Sequence, residues 1–209
     1  MRTLIVCNGE TPSRALLEQE VAKSTLIIAA DGGANILLDV GIMPTVVVGD
    51  LDSFNTPEKY PFEIIRDADQ ETNDLEKALG YALEQGAGEC VVLGALGLRM
   101  DHALKNLSAL QKFDDQFTHL MYRDDRQSVF VLPRVYEGTY DTGTVISLFP
   151  ISGKVEGIVT KGLAYPLNNE VLENGIRDGS SNHTIEEHIR ITYSSGVLLA
   201  FVRIEPSSV

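Results

Sequence analysis

Apolar residues follow two different rhythms along this chain, and the change falls near Asp124. Before it, short apolar runs alternate with amphipathic stretches. Thr3 to Cys7 reads as a strand and "SRALLEQEVA" as a helix; "STLIIAAD" is followed by "ANILLDV". Then come "TVVVGD", "FEIIRD", "NDLEKALGYALEQG", "CVVLGA", "DHALKNLSALQKF" and "FTHLMYRDD". Such alternation predicts βαβ units and a mostly parallel sheet. The clearest helix begins near Asn73, where Leu75, Ala78, Leu79, Ala82 and Leu83 fall at i, i+3, i+4, i+7 and i+8 and make one apolar stripe. Asn73 is its predicted N-cap, with Glu76 completing a capping box. Gly86 and Gly88 are its stop signals.

From Gln127 onward the apolar segments are "SVFVLP", "TVISLFP", "KVEGIVT", "HIRITYS" and "VLLAFVRIE", separated by Gly, Pro, Asn and Ser. No amphipathic helix lies between them. "YSSGVLL" predicts a hairpin turn joining the last two strands. The chain therefore divides within residues 123–127, into an α/β domain over 1–124 and an antiparallel β domain over 125–209.

The length of 209 residues and 44% hydrophobic content allow one large or two small cores. An apolar run of about 18 residues, as a membrane span requires, does not occur. The N-terminus lacks the apolar length and cleavage site of a secretory signal. Cys7 and Cys90 lie inside apolar runs, which suits buried thiols in a reducing cytosol rather than a disulfide framework. A cytoplasmic protein is expected. The net charge of −13 argues against a nucleic-acid partner, since duplex binding neutralises phosphates with Lys and Arg. An anionic substrate would need a cation or placed donors to approach.

That requirement directs attention to the polar residues that end the apolar runs. They are Asn8-Gly9, Asp31 to Asn35, Asp50 to Ser53, and Gly94 to Gly97 with Arg99, Asp101 and His102. The helix opening "DQETNDLEK" adds Asp69, Glu71, Asp74 and Lys77. In an open parallel sheet ligands bind at the carboxyl ends of strands, so these clusters converge on one edge. Oxygen-only ligands such as Asp50, Asp52 and Asp74 suit Mg²⁺. Gly-rich turns let backbone N–H groups approach phosphate oxygens, and Arg99 and Lys77 are candidate phosphate clamps. Together these features describe a Mg-nucleotide or phosphoryl-transfer site. "DADQETND" is not an EF-hand loop, because Thr72 stands at the glycine position and Ala78 at the bidentate glutamate. A P-loop and a strand-linked Gly-x-Gly-x-x-Gly are both absent. His102 is either a site residue or a residue ordering a first helical turn; His119, His183 and His188 lack metal-ligand spacing.

Taken in order, the motifs "ADGGAN" (Ala30 to Asn35), "GDLDS" (Gly49 to Ser53), "DQETNDLEKAL" (Asp69 to Leu79) and "GALGLRMDHALKN" (Gly94 to Asn106) resemble the thiamine pyrophosphokinase family. "TKGLAYPL" (Thr160 to Leu167) and "GSSN" (Gly179 to Asn182) resemble its thiamine-binding β domain. The resemblance implies a Rossmann-like α/β/α catalytic domain followed by a β-sandwich. It implies a homodimer with the active site at the interface, and diphosphoryl transfer from ATP to thiamine, giving thiamine diphosphate and AMP. Metal binding maps onto Asp50, Asp52 and Asp74 with Asn73 beside them. Asp31, Gly32, Asn35, Gln70, Lys77, Gly97, Arg99, Asp101 and His102 fall in substrate-facing motifs, and Ser181 and Asn182 match the thiamine-contacting end. Asp74 and Asp101 are the candidate proton acceptors.

The chain departs from the family pattern in three places. Asn73 stands where Thr is common, Leu98 replaces a Gly before Arg99, and there is no Trp to stack on thiamine, Tyr165 and Phe149 being the candidate replacements. Two other readings are diphosphate transfer to another alcohol, such as a hydroxymethyl-pterin, and a non-catalytic thiamine-binding module.

Overall fold

The apolar runs of the first half pair side by side as strands. The computed structural model describes residues 1–56 and 59–204; residues 205–209 of the expected second domain lie outside it. The chain divides into two compact units, Met1–Asp125 and Arg126–Val209.

In the first unit the order is β1 (Arg2–Val6), α1 (Arg14–Lys23), β2 (Leu26–Ala30), α2 (Gly33–Asp39), β3 (Val46–Gly49) and β4 (Glu63–Arg66). There follow α3 (Asp74–Glu84), β5 (Glu89–Leu93), α4 (Met100–Phe113), a short 3₁₀ turn, and β6 (His119–Arg123). These strands are arranged β6-β5-β1-β2-β3-β4, with every pair parallel. The central strands are buried on both faces, so Leu4, Ile5, Val6, Val46, Val47, Val91, Val92 and Leu93 are all close to solvent-free, as continuous apolar runs require. After β1 the chain builds outward through β2, β3 and β4, and then returns to β1's other side with β5. The switch point of the sheet therefore lies between β1 and β5, where a crevice opens at the carboxyl ends of the strands.

α3 starts and stops where its sequence signals stand. The Asn73 side chain accepts from the Glu76 N–H, and the Glu76 side chain accepts from the Asn73 N–H. At its other end Gly86 takes φ +80°. Its N–H reaches the Leu83 carbonyl, and the Ala87 N–H reaches Ala82, a Schellman closure. Cys7 and Cys90 are buried free thiols.

In the second unit β7 (Gln127–Val131), β8 (Val135–Thr139), β9 (Val145–Pro150), β10 (Lys154–Lys161), β11 (Asn168–Glu173), β12 (Gly179–His183), β13 (His188–Thr192) and β14 (Leu198–Arg203) form antiparallel pairs. They run β12-β9-β14-β7 and β11-β10-β13-β8. The expected hairpin at "YSSGVLL" does not form, because β13 pairs with β8 and β10 whereas β14 pairs with β7 and β9. The intervening residues pair with β10 instead. Ser194 N–H donates to the Glu156 carbonyl at 2.9 Å and Glu156 N–H donates to that of Ser195 at 3.2 Å. Gly196 then turns the chain away at φ +86°, packed against the Lys154 carbonyl. The segment hands the chain from one sheet to the other.

Candidate active site

The crevice at the switch point is made possible by glycines. Gly9 donates its N–H to the Gly94 carbonyl at 2.9 Å. A Cβ on Gly9 would lie 2.2 Å from that carbonyl oxygen, and one on Gly94 2.3 Å from the Cys7 carbonyl oxygen. The loops leaving β1 and β5 thus touch backbone to backbone. Beside them opens a cavity of about 280 Å³, lined among others by Asn8, Asp31, Ser53, Asn73, Asp74, Gly97, Arg99, His102 and Asn106.

One wall is acidic. Asp31 follows β2, Asp50 follows β3 and Asp74 opens α3; carboxylate oxygens of all three lie within 4.8 Å of one another. Asp31 is buried, and its Oδ1 has no hydrogen-bond partner, while its Oδ2 accepts from the Ser53 N–H at 3.2 Å. Burial raises the Asp31 carboxyl above its ordinary range, and the charge of Asp74 raises it further. The Asp74 carboxyl is also raised, first by burial and then by Asp50, against the opposing pull of Lys77. Three converging carboxylates, one with an unsatisfied buried oxygen, fit a hard divalent cation. Such an ion would supply the missing partner and remove the repulsion.

The other residues expected at the site fall into distinct places. Asp52 is exposed on the same turn, accepts from the Ser53 hydroxyl at 2.8 Å, and stands outside the group of three. Gln70 reaches Asp50 Oδ2 at 3.4 Å. Asn35 braces the turn after β3: its Nδ2 donates to the Ser53 carbonyl at 2.8 Å and its Oδ1 accepts from the Asn55 N–H at 3.0 Å. Gly32 gives room to the Asn8 side chain, whose Nδ2 would lie 2.4 Å from a Cβ there. The Asn73 carboxamide is engaged on both sides, its Oδ1 accepting from the Glu76 N–H at 3.0 Å and its Nδ2 donating to Asn106 Oδ1 at 2.8 Å, and it stands outside the group of three carboxylates. Lys77 departs from the open phosphate clamp expected of it. It is buried, its Nζ donates to the Asp67 carbonyl at 2.8 Å and lies 3.6 Å from Asp74 Oδ1, so it tempers the carboxylate charge from behind.

The cavity is also lined by an arginine paired with an aspartate. Arg99 and His102 lie where α4 begins, with Gly97 in the loop before them. Arg99 grips Asp101 through two hydrogen bonds, at 3.2 and 2.6 Å. That contact, chiefly the hydrogen bond, holds the Asp101 carboxyl at about 2. The N-cap residue Arg99 makes no side-chain cap, and Asp101 supplies the negative charge in the first turn of α4 that a helix N-terminus favours.

Backbone strain gathers at the same motifs. Among the described residues, positive φ outside glycine occurs at Asp31, Leu51, Leu98, Asn169 and Ser181; three of these lie on the turns around the cavity. Strain of this kind persists where surrounding structure enforces it, often at functional sites. Asn8, Ser53 and Asn106 also line the cavity; they belong to the strand-end clusters and motifs singled out in the sequence, which assign none of the three a role of its own.

A sequence profile described as thiamin pyrophosphokinase, catalytic domain, matches residues 17–122. The chain belongs to the thiamine pyrophosphokinase family. A second profile of the family, its vitamin B1 binding domain, matches residues 134–198. Thiamine pyrophosphokinase of Bacillus subtilis is 30% identical over 186 residues, covering 84% of this chain and 86% of that protein. Thiamine pyrophosphokinase 1 of Oryza sativa subsp. japonica is 28% identical, with 93% and 84% covered. The crystal structure of the Bacillus subtilis enzyme superposes with a TM-score of 0.84 at 25% identity, over 98% of this chain and 100% of that one. That of Geobacillus thermodenitrificans superposes at 0.83 and 27%, over the full length of both. In the second unit, Asn182 is buried. Its Oδ1 accepts from the Tyr165 N–H at 3.0 Å and its Nδ2 donates to the Tyr165 carbonyl at 2.7 Å. Tyr165 itself is 65% exposed, edge-on to His183. Ser181 takes φ +59° and donates its N–H to Ser147 Oγ at 3.0 Å.

Proposed function

We propose that this chain transfers a diphosphoryl group from Mg-ATP to the hydroxyl of thiamine, forming thiamine diphosphate and releasing AMP. The observation that carries this reading is the convergence of Asp31, Asp50 and Asp74 at a switch-point cavity lined by Asp31, Asp74 and Arg99. Asp31, Asp50 and Asp74 would hold Mg²⁺, with Asp52 a further candidate ligand on the exposed side of the turn. When bound, Mg²⁺ neutralises and orients the triphosphate. Arg99 would meet the phosphate oxygens and stabilise charge that grows as the bond to AMP breaks. Asp101 fixes the guanidinium of Arg99 through two hydrogen bonds, and Asp74 and Asp101 are the candidate acceptors of the thiamine proton. Ser181, Asn182 and Tyr165 are the thiamine-binding candidates of the second unit. The vitamin B1 binding profile over 134–198 supports thiamine over a pterin alcohol.

The same reading takes the first unit as Rossmann-like and the second as a β-sandwich, and the working form as a cytoplasmic homodimer. The family resemblance supports the dimer, as do the exposed Met100 and Leu104 in the first turns of α4. Purified protein incubated with Mg-ATP and thiamine should yield AMP and thiamine diphosphate in equal amounts. ADP alone, or no product, would overturn the assignment.

A further inference from the structure

Asn106 closes the motif "GALGLRMDHALKN" with no role assigned to it there, and it lines the cavity together with Asn73 and Arg99. It is the seventh residue of α4 and is buried. Its Oδ1 accepts from Asn73 Nδ2 at 2.8 Å, and its Nδ2 donates to the Ala95 carbonyl at 2.6 Å. Its backbone carbonyl accepts from the Tyr122 hydroxyl at 2.8 Å. Asn73 is the residue immediately before Asp74, and its Oδ1 caps α3 through the Glu76 N–H. Ala95 belongs to the loop that carries Gly97, Leu98 and Arg99.

One carboxamide thus links the turn that presents a carboxylate to the loop that presents the guanidinium. The link is specific in direction. Asn73 Nδ2 is a donor and requires an acceptor, whereas the Ala95 carbonyl is an acceptor and requires a donor. Asparagine supplies both from one planar group. Aspartate supplies only the first when ionised, and leucine or alanine supplies neither. Glu76 secures the α3 side of the link. It is buried, and Lys105 and Lys112 of α4 meet its two oxygens at 2.7 and 2.9 Å. The carboxamide therefore acts between elements already held together, so its removal would shift the loop before it unfolded the unit.

We propose that Asn106 is a positioning residue for diphosphoryl transfer: through Ala95 it sets Arg99 at the distance from Asp74 that the triphosphate requires. The inference rests on the function proposed above. Geometry of this kind is kinetically costly to lose, since a displacement of about 1 Å at a reacting group can cost about 10²-fold in rate.

The test is a double-mutant cycle on kcat, combined with amide hydrogen exchange. Asn106→Ala is expected to lower kcat by about 10- to 100-fold. In an Arg99→Ala background the same substitution should cost less than about threefold, because two residues acting as one unit are non-additive. An equal loss in both backgrounds would mean that Asn106 only stabilises the fold, and would overturn the proposal. Hydrogen exchange, read without substrates, should show faster exchange over Gly94 to Arg99 in Asn106→Ala while α1 and β2 stay protected. Unchanged exchange over that loop would also overturn it. Should Asn106→Ala fail to fold, Asn106→Asp keeps the bond from Asn73 and loses only the one to Ala95, and the same two readouts apply. Wild-type protein that makes no thiamine diphosphate would defeat the functional reading alone, since the exchange measurement still tests the link.

Discussion

Asp31 and Asp74 approach each other across Gly49, with no side chain between them. A Cβ on residue 49 would lie 2.8 Å from Asp31 Cβ and 3.0 Å from Asp74 Oδ1, closer than packed atoms tolerate. The glycine that ends β3 is therefore the condition under which these carboxylates meet. Gly49→Ala is expected to push them apart, lowering kcat by about 100-fold and abolishing the rise in melting temperature expected of the wild type in Mg²⁺. Turnover near the wild-type rate would show that the close approach is dispensable.

The same crowding makes the stability of the ligand-free protein depend on pH. Burial, and then the charge of Asp74, raise the Asp31 carboxyl, so the folded protein keeps that proton to higher pH than the unfolded chain does. The associated stability is fully present below the unfolded value of about 4 and is lost as pH rises through the folded one. Asp31→Asn carries no such charge. In EDTA its melting temperature should gain on the wild type as pH rises from about 4, and saturating Mg²⁺ should narrow the gap by stabilising only the wild type. Parallel melting curves across that range would remove Asp31 from the repulsive group.

Where sequence and structure agree, the controlling forces are local. The parallel strands show as uninterrupted apolar runs because both their faces are covered, and the Asn73–Glu76 cap is visible because all its parts lie within four residues. The strands that escaped notice are β8, β11 and β12, all at sheet edges. Edge strands such as "NNEVLE" and "GSSNH" are less enclosed, so their residues need not be apolar. The "YSSGVLL" turn was misleading for a related reason: Ser and Gly favour a turn wherever it leads, and pairing with Glu156 decides the destination. At the site, the ends of β2 and β3 and the opening of α3 bring Asp31, Asp50 and Asp74 together, as the placing of their motifs in the sequence suggests. Orientation was not legible. Lys77 belongs to the right helix yet points behind Asp74, and Asn106 draws its meaning from Asn73 and Ala95, respectively 33 and 11 residues away in sequence.

Leu98 stands where the family resemblance expects glycine, and it takes φ +53°. The left-handed region costs a residue with a Cβ about 1–2 kcal/mol. The side chain is 79% exposed, so little packing offsets that strain. Leu98→Gly relieves it but loosens the unfolded chain by about 0.4–1 kcal/mol. The net gain should approach about 1 kcal/mol, or a melting temperature higher by about 2–4 °C. Leu98→Ala keeps the strain and should leave stability nearly unchanged. Equal effects of Gly and Ala in thermal unfolding would show that the strain is not stored at this position.

In the second unit Asn182 does for Tyr165 what a strand partner would do, accepting from its N–H and donating to its carbonyl. The same Oδ1 also accepts from the His183 N–H at 2.9 Å. Replacing Asn182 with Ala leaves these backbone groups without their partner in a buried place, at a cost of about 1–3 kcal/mol. Tyr165 then loses the brace that holds its exposed ring beside His183. If that ring helps to hold thiamine, KM for thiamine should rise while kcat stays within about twofold, the signature of lost uniform binding. Tyr165→Phe keeps the ring and should leave KM nearly unchanged, whereas Tyr165→Ala should reproduce the Asn182→Ala increase. A fall in kcat with KM unchanged in Asn182→Ala would place the residue outside thiamine binding and leave it a purely structural brace.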